Sequence, residues 1–397
     1  MNNGRGGVTW PDGFTAAGTS CGIKAGGHDL AIVYSREPCV AAGCFTTNQF
    51  KAHSVVYTRR RIRNAVHAIV VNSGNANACN GPENYRATED LAVRAAEILG
   101  VPPGSVLMAS TGIIGGPLPA ERIAAALPAL VGMLSPAGHE DAVRGIMTTD
   151  TKKKEIHLDT EIAGRRKQVA IGAMAKGAGM ICPTMATMLC FITTDAVISR
   201  DALQSALSAA VADSFNMITV DNDMSTNDMV VCLANGAARN PRIRKDSDSY
   251  PVFASALKRV CVELAVMIAS DGEGATKLIR VEVTGAWSDA DARRVARKIA
   301  GSNLCKSAIG GCWPNAGRIL AAAGATSAKM DVSRVKLSMC GIPVYDGRPV
   351  PHDEAKLRKL LGQREVVLAI DLGRGTRAAT AWGCDLTEEY VAINREE

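Results

Sequence analysis

No run in the sequence reaches the roughly 18 uninterrupted apolar residues that a bilayer-spanning helix needs, which argues against a membrane protein. The opening Met1-Asn2-Asn3-Gly4-Arg5-Gly6-Gly7 carries no apolar segment of the secretory kind, so a soluble, cytoplasmic protein is expected. Twelve cysteines are present, but none forms a C-x-x-C pair or the close Cys/His spacing of a zinc site. No metal is expected, and most of the thiols should behave as small buried hydrophobes. The chain also lacks G-x-x-x-x-G-K-[ST], and no G-x-G-x-x-G opens a helix after a strand, which disfavours nucleotide binding. Net charge is a modest +6. Its densest cluster, Arg59-Arg60-Arg61 with Arg63, has no interleaved aromatics to stack on bases, so a solvated face is favoured over a nucleic-acid surface. Neither internal repeats nor a low-complexity linker is visible.

What is present fits a globular chain of 397 residues, long enough for two structural units. Apolar runs such as Ala68-Ile69-Val70-Val71 and Val366-Val367-Leu368-Ala369-Ile370 have strand character and alternate with segments of helical period, an α/β or mixed α+β pattern. One helix is expected after the N-cap candidate Ser199, with Leu203, Leu207, Ala210, Val211 and Ser214 on one stripe. Another runs through Leu91, Ala95, Ile98 and Leu99 and stops at Gly100. Between Lys277 and Gly285, Ile279, Val281 and Val283 alternate with Arg280, Glu282 and Thr284, the pattern of a strand with one wet face. The polar stretch from Arg239 to Ser249 is the expected exposed loop.

Four Gly- and Asn-rich segments are too polar for core: Asn72 to Ala78, Ser110 to Gly115, Lys176 to Met180 and Asp221 to Asp228. Asp221, Asp223 and Asp228 have a passing likeness to a calcium loop, but its glycine and terminal glutamate are missing. On composition alone each segment reads as a turn.

The stretch Lys176-Gly177-Ala178-Gly179-Met180-Ile181-Cys182-Pro183-Thr184-Met185-Ala186-Thr187-Met188-Leu189 is more specific. It resembles, over fourteen consecutive positions, the K-G-[SA]-G-M-[IL]-x-P-x-[ML]-A-T-M-L signature at which ornithine acetyltransferases (glutamate N-acetyltransferases) cleave themselves before a threonine. Gly13-Phe14 with Gly22-Ile23-Lys24, Phe45-Thr46-Thr47-Asn48 and Ser270-Asp271-Gly272-Glu273-Gly274-Ala275-Thr276-Lys277 are similar to further elements of that family, in the same order. The resemblance implies a layered α/β sandwich with a smaller second domain. It implies cleavage between Ala186 and Thr187 into an α chain, 1–186, and a β chain, 187–397, that stay associated as a heterotetramer of two α and two β chains.

The same resemblance makes Thr187 the nucleophile. A threonine hydroxyl is protonated at neutral pH and needs a base. Cleavage frees the Thr187 α-amino group, with a reference pKa of about 8, beside its own hydroxyl. Thr111 and Gly112 of Ser110-Thr111-Gly112 take the family's oxyanion positions, where one donor is worth on the order of a hundred- to a thousandfold in rate. The implied substrates are N-acetylornithine as donor and glutamate as acceptor, with acetyl-CoA an open second donor and no cofactor. Lys176 is assigned to a substrate carboxylate and Glu273 to the ornithine ammonium. Thr148 is the substrate threonine of Met147-Thr148-Thr149-Asp150, with Thr149 the alternative register, and Asn394 matches the family's Y-x-x-I-N.

Two departures from the family pattern are visible. After Asn394 the chain ends at Glu397, without the hydroxyl residue that follows in the family. Trp313-Pro314-Asn315-Ala316-Gly317-Arg318 stands where the family reads D-P-N-W-G-R. A related acyltransferase or amidohydrolase with an altered amino-acid substrate is the alternative enzyme reading. From another class, a basic binding protein would use the Arg59 to Arg63 cluster for an anionic partner.

Overall fold

A strand covered on both faces must be apolar at every position, whereas a strand with one wet face alternates. Both kinds occur in the computed structural model, which describes residues 4–162, 167–182 and 188–395. The chain forms two compact units, each with its own mixed sheet. The first comprises Met1–Gly177, Thr184–Ala212 and Met224–Leu264; the second and smaller comprises Ala178–Pro183, Asp213–Asp223 and Ala265–Glu397.

The first sheet is built from β1 (Phe14–Thr19), β2 (Leu30–Phe45), β3 (Val66–Asn75), β4 (Val106–Ile113), β5 (Lys154–Ile162), β6 (Lys167–Lys176) and β7 (Leu189–Thr194). The next strand, β8 (Ile218–Thr219), belongs to the second unit, and β9 (Met229–Ala234) returns to the first. Their spatial order is β4-β3-β2-β9-β7-β6-β5, with β1 also on β2. At 16 residues β2 is long enough to serve two neighbours: Leu30 to Tyr34 pair with β3, and Val40 to Phe45 pair with β9.

Helices cover this sheet on both sides: α1 (His53–Arg61), α2 (Glu83–Leu99), α3 (Ala120–Gly132) and α4 (His139–Ile146). Ile69, Val71, Leu107 and Ala109 enter one core with Val143 and Ile146 of α4. Their sequence neighbours Ala68, Val70, Val106 and Met108 enter another with Leu91 and Ala95 of α2 and Leu127 of α3. This explains the unbroken apolar run at Ala68 to Val71, because each large apolar side chain so buried contributes about 1.5–3 kcal/mol. As expected, α2 stops at Gly100, a left-handed residue (φ 66°) whose N–H bonds back to the Ala96 and Glu97 carbonyls. The helix expected after Ser199 is α5 (Arg200–Ala212), with Leu203, Leu207, Ala210 and Val211 buried; Ser214 is buried too but lies past its end. The long α6 (Ser249–Ser270) follows the largely exposed stretch before it.

The second sheet contains β8, β10 (Leu278–Ala286), β11 (Lys336–Met339), β12 (Ile342–Asp346), β13 (Glu365–Asp371) and β14 (Arg377–Cys384), ordered β12-β11-β13-β10-β14-β8. Ile279, Val281 and Val283 of β10 are buried while Thr284 is exposed and Arg280 and Glu282 are half-buried, the wet-faced strand that the alternation predicts. Its core is closed by Val295 and Ile299 of α7 (Asp289–Ala300), a helix capped by the Ser288 side chain on the Asp291 N–H. The departure at Trp313 to Arg318 covers the end of the loop after α8 (Asn303–Gly310) and the first residues of α9 (Ala316–Gly324). There Asn315 caps α9, and the Arg318 guanidinium stacks on the Trp313 ring at 4.7 Å. Two further helices, α10 (Glu354–Leu361) and α11 (Glu388–Arg395), complete the chain. Six of the twelve cysteines are buried, with burial pushing the Cys39 thiol up to about 12. Among the described residues no helix is long and apolar enough to cross a membrane, and no His/Cys/Asp/Glu group could hold a metal ion.

The compact units do not follow the division at position 187: each contains chain from both sides of it. Within the first sheet, β7 and β9 lie between β2 and β6, so strands from the two sides of that position interdigitate. β7 pairs antiparallel with β6 from Lys176↔Leu189 to Ile171↔Thr194 and parallel with β9. A chain cut between β6 and β7 is therefore expected to remain one particle. Native size-exclusion chromatography should elute both pieces together, with separation only under denaturant; separation in native buffer would contradict the strand order.

Candidate active site

The carboxyl ends of adjacent parallel strands are where α/β sheets offer loops and backbone groups to ligands. β3 and β4 are such a pair, with Ser73 opposite Thr111 and Gly74 opposite Gly112. The two glycines have φ of 95° and 129°, and a Cβ on Gly112 would collide with the Gly74 carbonyl carbon and the Asn75 nitrogen. Only glycine allows this approach of two backbones. Ala76 N–H donates to the Ile113 carbonyl at 2.9 Å, tying the segments together. A third polar segment reaches the same place: the Asn227 amide donates to the carbonyls of Ala76 (2.6 Å) and Ser110 (2.7 Å). The composition of these segments thus serves a hydrogen-bonded scaffold around Thr111 and Gly112.

Lys176 closes β6, is buried, and donates from Nζ to the Thr111 hydroxyl at 3.3 Å. A cation in that position requires a counter-charge, and Asp150 supplies it. Its Oδ1 accepts from Lys154 Nζ (2.6 Å) and from the Gly177 N–H (2.7 Å), and its Oδ2 accepts from the Thr148 N–H (3.0 Å). Burial alone would raise the Asp150 carboxyl, but the charges of Lys176 and Lys154 and these hydrogen bonds outweigh it and hold the group at about 2. Thr148 and Lys176, and through Lys176 the Thr111 hydroxyl, are therefore tied to Asp150, a residue present in the Met147 to Asp150 motif but given no role by sequence reasoning.

The expected cleavage pair, Ala186 and Thr187, lies outside the described residues. The description resumes at Met188, whose N–H donates to Asp228 Oδ1 at 2.9 Å. Asp228 is fully buried, and that burial pushes its carboxyl well above the ordinary range despite the Met188 N–H and the charge of Lys176. Its other oxygen, Oδ2, has no hydrogen-bond partner among the described residues. Asp228 is a second residue whose place the sequence did not reveal.

Glu273 and Asn394 belong to the second unit and meet there: the Asn394 amide donates to Glu273 Oε2 at 2.8 Å. Gly179 makes room for the Glu273 carboxylate, since a Cβ on Gly179 would strike both carboxylate oxygens. Gly274 (φ 67°) likewise lets the Tyr390 backbone of α11 approach, and Thr387 donates to its carbonyl at 2.7 Å. Asp221 accepts from the N–H groups of Met180 (2.6 Å), Ile181 (2.9 Å) and Asp223 (3.0 Å), while burial raises its carboxyl to about 6. The Tyr390 hydroxyl is raised by burial and by the charges of Asp221, Asp223 and Glu273, which marks this part of the second unit as acidic.

Removing one partner from a buried ion pair costs about 3–5 kcal/mol, so Asp150→Ala should lower the unfolding free energy by that order. Because folding depresses the Asp150 carboxyl from 3.8 to about 2, its contribution is complete above pH about 4 and is lost as the pH falls towards 2. Denaturant titrations from pH 6 to pH 2 should show a steeper loss of stability in the unsubstituted protein than in the variant. Parallel pH profiles would remove Asp150 from its proposed role as the counter-charge.

Comparison with known proteins agrees with these features. The ArgJ family model matches residues 15–396. The arginine biosynthesis bifunctional protein ArgJ of Symbiobacterium thermophilum is 52% identical over 394 residues, covering 98% of both chains. Its counterpart in Thermosynechococcus vestitus is 46% identical over 410 residues, covering 98% of this chain and 97% of its own. The crystal structure of the Bacillus halodurans arginine biosynthesis bifunctional protein argJ is 42% identical with a TM-score of 0.51, and the match covers 52% of this chain and 98% of that one. With the family model spanning almost its whole length and relatives this similar over nearly all of theirs, the chain belongs to the ArgJ family.

Proposed function

We propose that this chain is a self-processing acetyltransferase of arginine biosynthesis that moves the acetyl group of N-acetylornithine to glutamate through an acetyl-Thr187 intermediate. The observation that carries the reading is the anchoring of Met188, the residue after the nucleophile, to Asp228 in the unit that also holds Thr111, Gly112 and Lys176. Relatives covered at 98% that are named for arginine biosynthesis support the pathway. Their description as bifunctional supports acetyl-CoA as a second donor to glutamate. A solved chain that matches only 52% of this one while being 98% covered supports division of the family's chain into two pieces.

In processing, the Thr187 Oγ adds to the Ala186 carbonyl carbon, the C–N bond breaks, and the proton passes to the departing nitrogen. Water then hydrolyses the ester, leaving a carboxylate on Ala186 and a free amine and hydroxyl on Thr187. In turnover that amine takes the hydroxyl proton as Oγ attacks the acetyl carbonyl of N-acetylornithine. Thr111 and Gly112 hold the oxyanion, and Lys176, hydrogen-bonded to Thr111, is the cationic partner of a substrate carboxylate. The C–N bond breaks, the leaving amine takes the proton, and ornithine departs. Glutamate then attacks the acetyl-threonine carbonyl through its neutral amine, the Thr187 amine takes the proton that the attacking nitrogen loses and passes it to Oγ, and the ester C–O bond breaks to release N-acetylglutamate and the free hydroxyl. Glu273, fixed by Asn394, receives the ornithine ammonium, and Thr148 lines the substrate. No cofactor takes part. The cleaved chains assemble as two α and two β chains, and a chain rich in scattered cysteines suits a reducing, cytoplasmic setting.

Thr187→Ala should give a single full-length band on a denaturing gel and no transfer of labelled acetyl from N-acetylornithine to glutamate; normal cleavage in that variant would end the self-processing proposal. Glu273→Gln should cleave normally yet lose about tenfold or more in kcat/KM for N-acetylornithine, because an ammonium–carboxylate hydrogen bond is worth about 1.5–3 kcal/mol. An unchanged kcat/KM would take Glu273 out of substrate recognition.

A further inference from the structure

The Arg59 to Arg63 run ends α1, where cations are favoured by the helix dipole and need no ligand. The surroundings of the individual side chains differ, however. Arg61 is neutralised by Glu89 at 2.8 Å and lies over the Tyr57 ring. Arg59, Arg60 and Arg63 instead line one cleft of about 730 Å³ with Lys51, Thr46, Thr47 and Gly43, on an apolar floor of Phe45 and Ile62. None of these four cations forms an ion pair with a carboxylate among the described residues, and no acidic side chain lines the cleft. Arg60 is oriented by its hydrogen bond to the Tyr85 hydroxyl at 2.9 Å. Lys51 is steadied by the Asn48 carbonyl at 2.5 Å.

A further arginine adds to this positive charge. Arg200 donates to the carbonyls of Ala41 (3.2 Å), Ile62 (2.9 Å) and Arg63 (2.8 Å), fixing the backbone that carries the cleft. Its pKa is lowered, first by burial and then by the charge of Arg63, which outweigh the opposing charge of Asp201. The cleft volume lies within the range for small-molecule sites, roughly 300–1,000 Å³. Guanidinium groups pair bidentately with phosphate oxygens, and several converging cations with no anion favour a ligand of several negative charges. An extended nucleic acid fits less well, because the basic residues line a pocket of this size and only Phe45 among them is aromatic.

We propose that the cleft formed by Lys51, Arg59, Arg60 and Arg63 is a binding site for a small organic polyphosphate of the nucleoside-diphosphate class. For a free nucleotide this assignment stands apart from the transfer reaction, and for an acyl carrier it rests on the reading of acetyl-CoA as a second donor. Two sources share that chemistry, a free nucleotide and the 3′-phosphorylated ADP portion of an acyl carrier such as coenzyme A. Both can be titrated into the full-length protein by calorimetry at low ionic strength, beside inorganic pyrophosphate and a short single-stranded oligonucleotide.

Saturable binding of ADP or coenzyme A is expected, weakening as salt is raised, and weakening about tenfold or more in the Arg59→Gln/Arg63→Gln double variant. Tighter binding of ADP marks a nucleotide ligand; tighter binding of coenzyme A marks the acyl carrier. The double variant should keep its cleavage and its acetyl transfer from N-acetylornithine to glutamate, so failure of the site and failure of the proposed enzyme are separable. The proposal is overturned if neither ADP nor coenzyme A binds saturably, if the double variant binds them as tightly as the unsubstituted protein, or if the oligonucleotide outcompetes both.

Discussion

A carboxylate without water around it cannot stand alone, and the buried charge of Asp150 is the constraint on which the first unit's polar residues depend. Lys154 and Lys176 compensate it, while the Thr148 and Gly177 N–H groups occupy its remaining lone pairs. Lys176 in turn reaches the Thr111 hydroxyl, so one anion fixes residues from β4, β6 and the loop after α4. Such a cluster is not chiefly a source of net stability, because desolvating each ion costs several kcal/mol. What it supplies is a single arrangement: any displacement of one member leaves another charge buried and unpaired.

Close backbone approach is the second ingredient. Gly74 and Gly112 face each other across β3 and β4 with left-handed φ, and Gly179 leaves room for the Glu273 carboxylate. These glycines are therefore positions where a side chain is excluded by a specific neighbour. Asn227, bound to the carbonyls of Ala76 and Ser110, fills the same need from the donor side by satisfying carbonyls that the sheet leaves open.

Much of this architecture was legible in the sequence where the signal was local. The doubly buried β3, the half-wet β10 and the stop of α2 at Gly100 follow from periodicity and cap chemistry within a few residues. The likeness to the family was equally readable, since the fourteen positions that carry it are contiguous, and the family match over residues 15–396 agrees. Asp150, Asp228 and Asn227 were not readable, because their roles rest on partners 27, 40 and 151 residues away. The Arg59 to Arg63 run shows the same limit from the other side: composition reveals the charge, but only the fold reveals that three of those arginines and Lys51 turn towards one cleft.

The position of β9 has a consequence for the order of events during synthesis. β2 is finished by Phe45, yet its partner from Val40 onward is β9, which ends at Ala234. Closing a loop of that length makes the pairing slow compared with local helix formation. Asp228, which receives the Met188 N–H, stands immediately before β9. While a ribosome has yet to extrude that region, Met188 has no Asp228 to bind and β7 has no parallel neighbour. The nascent chain thus carries its own delay: the surroundings of Met188 are completed only after well over half of the polypeptide has been translated.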